Sequence, residues 1–280
     1  MERETKVDAR GRYAVGSEAM IEAAPFAYRR LPRLVFLMRR LSRANYEREM
    51  ELLDLLCDRD RPGIDIGAKV GMYTYRIRNY SSEVIAFEPI PMFNRILRTV
   101  FEGKRGRVEP FAVSDQRGTA KLRLPYGHDG SRKYGRATID QANRFDPDVI
   151  ARTEEIEVET RRIDDYDLPD VGFIKIDVEG HELAVLAGAE ATLTRHRPNL
   201  LIECNDEHQP DAVKRLGASL DAHGYTTVFV DDRELRPISE YDRNIHWLKR
   251  GIENFIAIHR SRPDVLERLT GRIPNRKPAR

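Results

Sequence analysis

The sequence has little cysteine, little lysine and no long apolar run. Its two cysteines, Cys57 and Cys204, are far apart and lack metal-ligand spacing, which favours a reducing compartment without a structural disulfide. No apolar stretch approaches the ~20 residues that a membrane-spanning helix needs. Because Met1–Arg12 is rich in charged residues, the start does not resemble a signal peptide. We therefore expect a cytoplasmic protein.

Strong net charge is also lacking. The formal net charge of the 280 residues is +2, so nothing in the overall balance calls for a nucleic-acid partner. Hydrophobic residues make up 40% and charged residues 34% of the chain, which describes a globular protein with a heavily charged surface and enough length for a large core.

The stretch around which the chain is organised is 63–71, Gly-Ile-Asp-Ile-Gly-Ala-Lys-Val-Gly. A short apolar run containing Asp65 ends in Gly67 and Ala68, and Gly71 precedes an apolar helical pattern. This is the layout of a first strand, a tight turn and a helix start in a doubly wound α/β domain. Glycine lets a ligand approach the backbone, and a helix N-terminus offers free N–H groups. A purely structural turn has the same pattern, so the stretch alone leaves function open.

Strand and helix patterns alternate after this turn, which predicts one α/β domain over residues 46–260. The predicted strands are Val84–Phe87, Val108–Val113, Gly172–Asp177, Asn199–Glu203, Tyr225–Val230 and Asn254–His259. The predicted helices are Tyr46–Cys57, Phe93–Phe101, Glu182–Thr194 and Asp211–His223. Because the last two strands lack a full helix between them, we expect a mostly parallel sheet with an antiparallel hairpin at its edge.

An insertion interrupts this alternation at about 116–165. Gly118–Leu124 and Glu155–Arg162 alternate polar and apolar residues, as half-exposed antiparallel strands do. The polar loop Tyr126–Asp148 lies between them. We therefore predict a β-hairpin insertion after the third strand, which helps to form the acceptor side of a site or is a plain solvated loop.

Both ends of the chain are predicted to lie outside the domain. Residues 1–45 form an arm with a basic amphipathic helix over Phe26–Leu41. The helix proper is expected to begin near Leu31, because Pro32 suits a first turn. Such a helix suits an anionic membrane surface, and docking on the main domain or on a second subunit is the alternative. Residues 261–280 are rich in proline and basic residues, and we expect a frayed tail.

Acidic residues follow strand after strand at the predicted carboxyl ends. They are Asp65, Glu88, Asp115, Asp177, Glu179 and Glu203. In open α/β sheets ligands bind beyond the carboxyl ends of the strands, so matching acids there predict a binding site. Singly, each could be a helix cap or a solvated turn.

The spacing of these acids and the motifs absent around them indicate which ligand they bind. Glu88 lies 21 residues beyond Gly67, about the spacing at which an acid meets a ribose hydroxyl. Asp115 could accept a bond from an adenine amine. The turn lacks the Gly-x-Gly-x-x-Gly of a dinucleotide fold, and no Gly-Lys-Ser/Thr is present to hold a triphosphate. An adenosine ligand without phosphate fits best, which predicts S-adenosylmethionine.

With these residues assembled, the chain resembles the FkbM family of S-adenosylmethionine-dependent methyltransferases over about residues 46–259. The matching stretches are Ile64–Thr74, Ala86–Pro89, Ala112–Asp115, Phe173–Leu183, Val185–Ala189 and Pro198–Glu203. The resemblance implies a seven-stranded class I methyltransferase fold and O-methylation, frequently of sugar hydroxyls in glycans or natural products. One departure is Lys69, where the family usually has Asn.

The resemblance places the cofactor-binding residues in the matching stretches. They are Asp65, Gly67, Ala68, Gly71, Tyr73, Thr74, Glu88, Ser114, Asp115 and Asp177. Lys69 would put a cation near a cationic cofactor, so we expect it to weaken cofactor affinity.

Methyl transfer to a hydroxyl needs a proton acceptor, and His181 is the candidate base because an ordinary imidazole accepts protons near neutral pH. A surface histidine at a helix N-terminus is the alternative. Asp177 and Glu179 are predicted beside it as catalytic residues. With Glu182 and Glu203 they could instead hold a divalent metal that activates the hydroxyl, a less favoured interpretation.

The acceptor is predicted to meet Glu203 and residues of the insertion. Arg132 and Lys133, with Arg136, could pair with an acceptor phosphate or carboxylate. Trp247 could stack on a sugar ring, and core packing is its alternative.

Three functions stay open at this point. The favoured one is an O-methyltransferase acting on a small-molecule or glycan acceptor, working alone or as a homo-oligomer. The second is a catalytically weakened cofactor-binding or scaffold protein, motivated by Lys69. The third is a nicotinamide oxidoreductase, which the incomplete glycine pattern disfavours.

Overall fold

The computed structural model describes residues 30–42, 46–103, 105–207 and 209–273. Most of the predicted N-terminal arm, the last residues of the predicted tail and His208 lie outside these ranges.

Eleven strands and eight α-helices make up the described ranges. The strands are β1 Gly63–Ile66, β2 Val84–Phe87, β3 Gly106–Glu109, β4 Ala112–Val113, β5 Gly118–Gly127, β6 Ile150–Arg161, β7 Phe173–Ile176, β8 Asn199–Glu203, β9 Tyr225–Asp231, β10 Glu234–Pro237 and β11 Asn254–His259. The helices are α1 Pro32–Ser42, α2 Leu53–Leu56, α3 Met72–Tyr80, α4 Pro91–Phe101, α5 Glu182–Ala187, α6 Glu190–His196, α7 Ala212–Ala222 and α8 Pro263–Thr270.

The main sheet has the order β10-β9-β11-β8-β7-β1-β2-β3. Strand β1 is central and pairs in parallel with β2 and β7, and every residue of these three strands is buried. Such complete burial is typical of parallel strands covered on both faces by helices. The predicted doubly wound α/β class is confirmed.

One detail of the predicted sheet is wrong. The sheet has eight strands rather than seven, because Glu234–Pro237 adds β10 at the edge. The expected antiparallel pairing of the last two predicted strands is present, since β11 runs antiparallel to β9 as well as to β8. The outermost pair at this edge is β9 with β10.

The predicted hairpin insertion is present as a second sheet. Strands β5 and β6 pair antiparallel along almost their whole length, and β4 adds to β6 in parallel. The third predicted strand, Val108–Val113, is divided at this point, because Gly106–Glu109 belongs to the main sheet and Ala112–Val113 to the second. The divided strand brings the insertion against the carboxyl end of the main sheet.

The predicted helix over Glu182–Thr194 is broken in two at Gly188. A Cβ atom on Gly188 would lie 2.0 Å from the Ser114 carbonyl oxygen, so the backbone approaches that segment more closely than a side chain allows. Asp164 caps the second half, since its carboxylate accepts the N–H groups of Ala191 and Thr192 at 2.8 and 2.9 Å. The close contact positions Ser114 beside the loop that follows β7.

Two predictions near the chain ends are also corrected. The predicted helix Tyr46–Cys57 is a 3₁₀ turn, Arg48–Leu52, followed by the short α2. Part of the expected frayed tail is α8, whose Val265 and Leu269 are buried against the core. The N-terminal helix α1 docks on the main domain, where its Val35 and Phe36 are buried.

Candidate functional site

The turn after β1 is shaped by a glycine that no other residue could replace. Gly67 has φ of +81°, and a Cβ atom there would lie 1.9 Å from the Asp177 carbonyl oxygen at the end of β7. Its N–H donates to the Phe87 carbonyl at the end of β2. The turn therefore joins the carboxyl ends of three adjacent strands.

Glu88, directly after β2, is held by the backbone of two elements. One carboxylate oxygen accepts the Lys69 N–H at 2.7 Å and the other accepts the Ile90 N–H at 2.8 Å. The side chain is buried, and this burial raises the pKa of Glu88 to about 7 despite the two backbone hydrogen bonds. Each oxygen keeps a lone pair for a further donor.

A largely apolar cavity opens at this carboxylate. Its polar lining includes Glu88, Asp177, Glu179 and His181. The apolar lining comes from the main sheet and the insertion: Ile66, Phe87, Pro89, Ile90, Phe111, Ala112, Val113, Leu122, Tyr134, Ala137, Ile139 and Val178. A few polar groups on apolar walls are typical of a small-molecule site.

Lys69 lies in the turn with its ammonium group between carboxylates. Its backbone is left-handed, with φ of +49°, and Nζ lies 3.2 Å from Asp177 Oδ2 and 3.5 Å from Glu179 Oε1. Burial opposes the charge of the ammonium, yet these carboxylates and that of Glu203 raise the pKa of Lys69 well above its ordinary value. Lys69 is therefore a permanent cation in the lining of the cavity.

Three carboxylates at this point have the spacing of a metal site. Oxygen atoms of Asp177, Glu179 and Glu203 lie within 4.8 Å of one another. The Lys69 ammonium already bonds the first two, and burial, with Asp177 and Glu253 nearby, raises the pKa of Glu203 well above its ordinary value. A divalent cation would have to displace the ammonium, so the donor set fits an internal cation better than a metal.

His181 lies in a chain of polar groups at the rim of the cavity. Its Nε2 is 2.9 Å from Ser114 Oγ, which is 3.0 Å from Asp115 Oδ1. Its Nδ1 is 3.8 Å from Asp140 Oδ2, on the insertion. Burial opposes the charge of Asp140, but the imidazole and two backbone N–H groups outweigh it and lower the pKa of this carboxyl. The imidazole thus links Ser114 to the insertion.

Comparison with known proteins identifies the family of this chain. A family model described as the methyltransferase FkbM domain matches residues 65–228, more than half of the chain. The chain belongs to the FkbM methyltransferase family.

Two curated methyltransferases are similar to this chain. The "31-O-demethyl-FK506 methyltransferase FkbM" of Streptomyces tacrolimicus is 29% identical over 211 residues, covering 61% of this chain and 76% of that protein. "Methyltransferase 1" of Beauveria bassiana (strain ARSEF 2860) is 28% identical over 159 residues, covering 51% of this chain and 64% of that protein, slightly less than two thirds of its length.

Among solved structures, a methyltransferase FkbM from Methylobacillus flagellatus KT matches with a TM-score of 0.44 and 18% identity, over 86% of this chain and 60% of that chain.

Several residues predicted to bind the cofactor of this FkbM chain support the turn instead of lining the cavity. Thr74 Oγ1 donates to Asp65 Oδ2 at 2.5 Å, and burial raises the pKa of Asp65 to about 6. A Cβ atom on Gly71 would collide with the Leu97 and Phe101 side chains of α4. Ala68, next to Gly67, is buried in the cluster that contains these two side chains.

Tyr73 lies in a buried polar network that the sequence did not predict. Its hydroxyl donates to Glu47 at 2.7 Å, and Asn254 donates to the same carboxylate at 3.1 Å. The Lys175 ammonium lies 3.4 Å from Asn254 Oδ1 and 5.0 Å from the Tyr73 ring centroid. A lysine in the middle of the apolar strand β7 was the available signal for this network, because a buried charge needs partners.

The residues predicted for acceptor binding are dispersed. Arg132 donates to the Tyr126 hydroxyl at 2.5 Å and Lys133 to Ser131 Oγ at 2.5 Å, so both serve the insertion itself. Trp247 is buried with the Arg243 guanidinium 4.8 Å from its ring, which agrees with core packing.

Other predicted polar residues also have local partners. Arg136 pairs with Glu207 at 3.0 Å. Glu182 accepts the Gly180 N–H at 2.8 Å, as a first-turn acid does, and Asp115 is exposed.

The sequence predicted that the insertion borders the site but did not single out which of its residues form a cavity wall. Tyr134 and Ile139 line the cavity from the segment between β5 and β6, and the Tyr134 ring packs edge-on against Phe93 at 5.1 Å. Asn143 Nδ2 donates to the Glu179 carbonyl at 2.8 Å, which fastens this segment to the loop after β7. Apolar residues scattered in a polar loop have no periodicity, so no local pattern marked these two side chains as part of the wall.

Proposed function

We propose that this FkbM protein is an S-adenosylmethionine-dependent O-methyltransferase that acts on a hydroxyl group of a sugar, glycan or natural product. The observation that carries the proposal is Glu88. A buried carboxylate fixed by two backbone N–H groups, with lone pairs left over at an apolar cavity, suits the two hydroxyls of an adenosine ribose.

The cavity suits the rest of the adenosine as well. Ile66, Val113 and Ile139 offer apolar walls for a flat ring, and the close approach of Gly67 to β7 leaves backbone instead of side chain at the turn. When bound, the cofactor supplies a methyl group on a positively charged sulfur that is a good leaving group. Asp177 and Glu179 add negative charge to the cavity lining, which favours a cationic ligand, and the Lys69 ammonium balances part of this charge.

The chain's remaining task is to orient an acceptor hydroxyl and receive its proton. We propose His181 as the proton acceptor, since its imidazole lines the cavity and contacts Ser114 and Asp140. Those two contacts fix the plane of the ring. The Ser114 contact must loosen for Nε2 to receive a proton from the acceptor.

Support for a hydroxyl acceptor comes from the relative in Streptomyces tacrolimicus, whose name describes methylation of 31-O-demethyl-FK506. A neutral hydroxyl acceptor also agrees with the placement of Arg132 and Lys133, which serve their own hairpin.

The first experiment is thermal unfolding with S-adenosylmethionine, S-adenosylhomocysteine and NAD added separately. Ligand at ~100 times its dissociation constant adds ~2.7 kcal/mol to the free energy of unfolding, which corresponds to a rise of a few degrees in Tm. A rise with both sulfur nucleotides and none with NAD supports the cofactor. A rise with NAD alone would refute it.

Methyl transfer is then measured with labelled cofactor and a panel of sugars and hydroxylated natural products. His181→Ala should lower kcat by about 10²-fold or more while cofactor affinity stays the same. Full activity of this variant would exclude His181 as the base.

A cofactor-binding protein without turnover is the second candidate, and Lys69 is the observation that favours it. Its ammonium occupies the anionic centre that a sulfonium would face. Cofactor binding without methyl transfer to any acceptor, together with activity gained in Lys69→Asn, would establish this candidate.

A further inference from the structure

Helix α1 presents an apolar face to solvent. Of the eight large apolar side chains that are exposed in the described residues, five lie in this short segment. We call them the leucine face: Leu31, Leu34, Leu37, Met38 and Leu41, which are between 44% and 71% exposed. Contiguous exposed apolar side chains on an otherwise charged surface mark an interaction site.

The helix is fixed to the domain by its opposite side. Val35 and Phe36 are buried, and the Phe36 ring packs edge-on against Phe101 at 5.3 Å. The spacing of three and four residues between Leu34, Leu37, Met38 and Leu41 places them on one face of α1, and Leu31 directly precedes the helix. The leucine face is therefore held outward by the packing beneath it.

Charge distinguishes between the occupants that could cover this face. Arg30, Arg33 and Arg40 are exposed on the same helical segment, and residues 30–42 contain no acidic residue. A second copy of the helix would bring like charges together, which is unfavourable in either orientation. Anionic headgroups complement the arginines, while the leucines and the methionine can enter the acyl boundary.

We propose that the leucine face and its flanking arginines bind the surface of an anionic lipid bilayer. The helix would lie in the plane of the interface, with the folded domain attached through Val35 and Phe36. The proposal rests on α1 alone and does not depend on which reaction the protein carries out.

The test is flotation of the full chain with vesicles of phosphatidylcholine alone and of phosphatidylcholine mixed with phosphatidylglycerol. We expect binding to the mixed vesicles, weak binding to the neutral ones and loss of binding at high salt. Leu34→Glu with Met38→Glu should reduce the partition coefficient by at least about tenfold, because it puts charge at the acyl boundary. Arg33→Glu should reduce it by about fivefold or more.

The matched control is Ile245→Glu with Leu248→Glu, which changes two comparably exposed apolar residues far along the chain. This control should bind as the unmodified protein does. Absence of binding to the mixed vesicles, or equal loss in control and test variants, would overturn the proposal. So would a dimer, seen by light scattering without lipid, that Leu34→Glu with Met38→Glu dissociates.

Discussion

At the scale of single residues, the site is defined by buried carboxylates and one lysine. Burial raises the pKa values of Asp65 and Glu88 to about 6 and about 7, so these groups titrate near neutrality. Lys69 stays charged because Asp177 and Glu179 surround its ammonium. Ligand affinity should therefore depend on both pH and the lysine.

Cofactor binding is expected to weaken as the pH falls through the pKa of Glu88. Only the ionised carboxylate can accept both ribose hydroxyls, and protonation removes one acceptor. The dissociation constant for S-adenosylhomocysteine should rise about tenfold between about pH 8 and about pH 6. Isothermal titration calorimetry across this range measures it.

Glu88→Gln is the control for this pH dependence. The variant should bind weakly at both pH values and lose the slope, and a slope equal to that of the unmodified protein would assign the titration to another group.

The folding stability of the ligand-free protein should depend on pH in the opposite direction. The pKa of Glu88 is higher in the folded protein than its ordinary value near 4.5. Glu88 therefore stabilises the folded state when the pH is below about 4.5, and this stabilisation is lost as the pH rises through about 7.

Removing the Lys69 ammonium should destabilise the fold. In Lys69→Asn, Asp177 and Glu179 lose the cation at 3.2 and 3.5 Å. The pair is partly exposed, so we expect a loss of roughly 1–3 kcal/mol in the free energy of unfolding, measured by urea denaturation. Lys214→Asn changes an exposed lysine and should cost little.

Addition of Mg²⁺ tests whether the carboxylates around Lys69 can also bind a metal. In Lys69→Asn the ammonium no longer competes with a divalent cation for Asp177, Glu179 and Glu203, so Mg²⁺ should restore part of the stability of this variant. Equal stabilisation of the unmodified protein by Mg²⁺ would show that a metal competes with Lys69.

Site residues near the ends of apolar strands could be predicted, and those placed by long-range packing could not. Glu88 and Asp177 were predicted because they directly follow apolar strands, and Glu179 and His181 because they lie just beyond the same strand as Asp177. The structure brings all four to one cavity. Tyr134 could not be predicted, because its place is set by long-range packing on Phe93. Contacts between distant segments leave no trace in local periodicity.

At the scale of elements, the turn between β1 and α3 is the most constrained feature. Gly67→Ala places a Cβ atom on the Asp177 carbonyl and requires a left-handed backbone, so we expect a loss of about 3 kcal/mol or more in stability and of cofactor binding. Denaturant midpoints and calorimetry measure both quantities.

Gly130→Ala is the matched control for this change. Gly130 has a similar φ of +78°, but a Cβ atom there would meet nothing within 4 Å. It should cost only the backbone term of about 1–2 kcal/mol. Equal losses at the two sites would mean that the contact with β7 contributes nothing.

Other elements show which features a local sequence pattern could predict and which it could not. The apolar strands β2, β7 and β8 agree with the sequence within one or two residues, since a buried strand needs an unbroken apolar run. The helix over Glu182–Thr194 was predicted as one, but the structure breaks it at Gly188. The role of Gly188 is close approach to Ser114, a tertiary contact.

At the scale of the whole molecule, the segment after β11 completes the core. Leu269 in α8 is fully buried with Leu53 and Leu56 of α2, and Arg272 pairs with Asp54. A composition rich in proline and basic residues concealed this helix from sequence reasoning. The core thus includes side chains separated by more than two hundred positions.

Leu269→Ala should therefore cost about 2–5 kcal/mol in the free energy of unfolding, because it leaves a cavity between α8 and α2. Urea denaturation with an unchanged m-value is the measurement. Leu248→Ala, at a residue that is 44% exposed, should change little. Similar midpoints for the two variants would show that α8 adds no stability.

The position of β11 has a consequence for how the protein is made. Strands β8 and β9 are neighbours in space only through β11, which comes last of the eleven along the chain. Until residues 254–259 leave the ribosome, one edge of β8 and one edge of β9 have no partner and can pair with other chains. A nascent chain stalled before residue 254 should therefore recruit chaperones. The chaperones should dissociate once β11 has paired with β8 and β9.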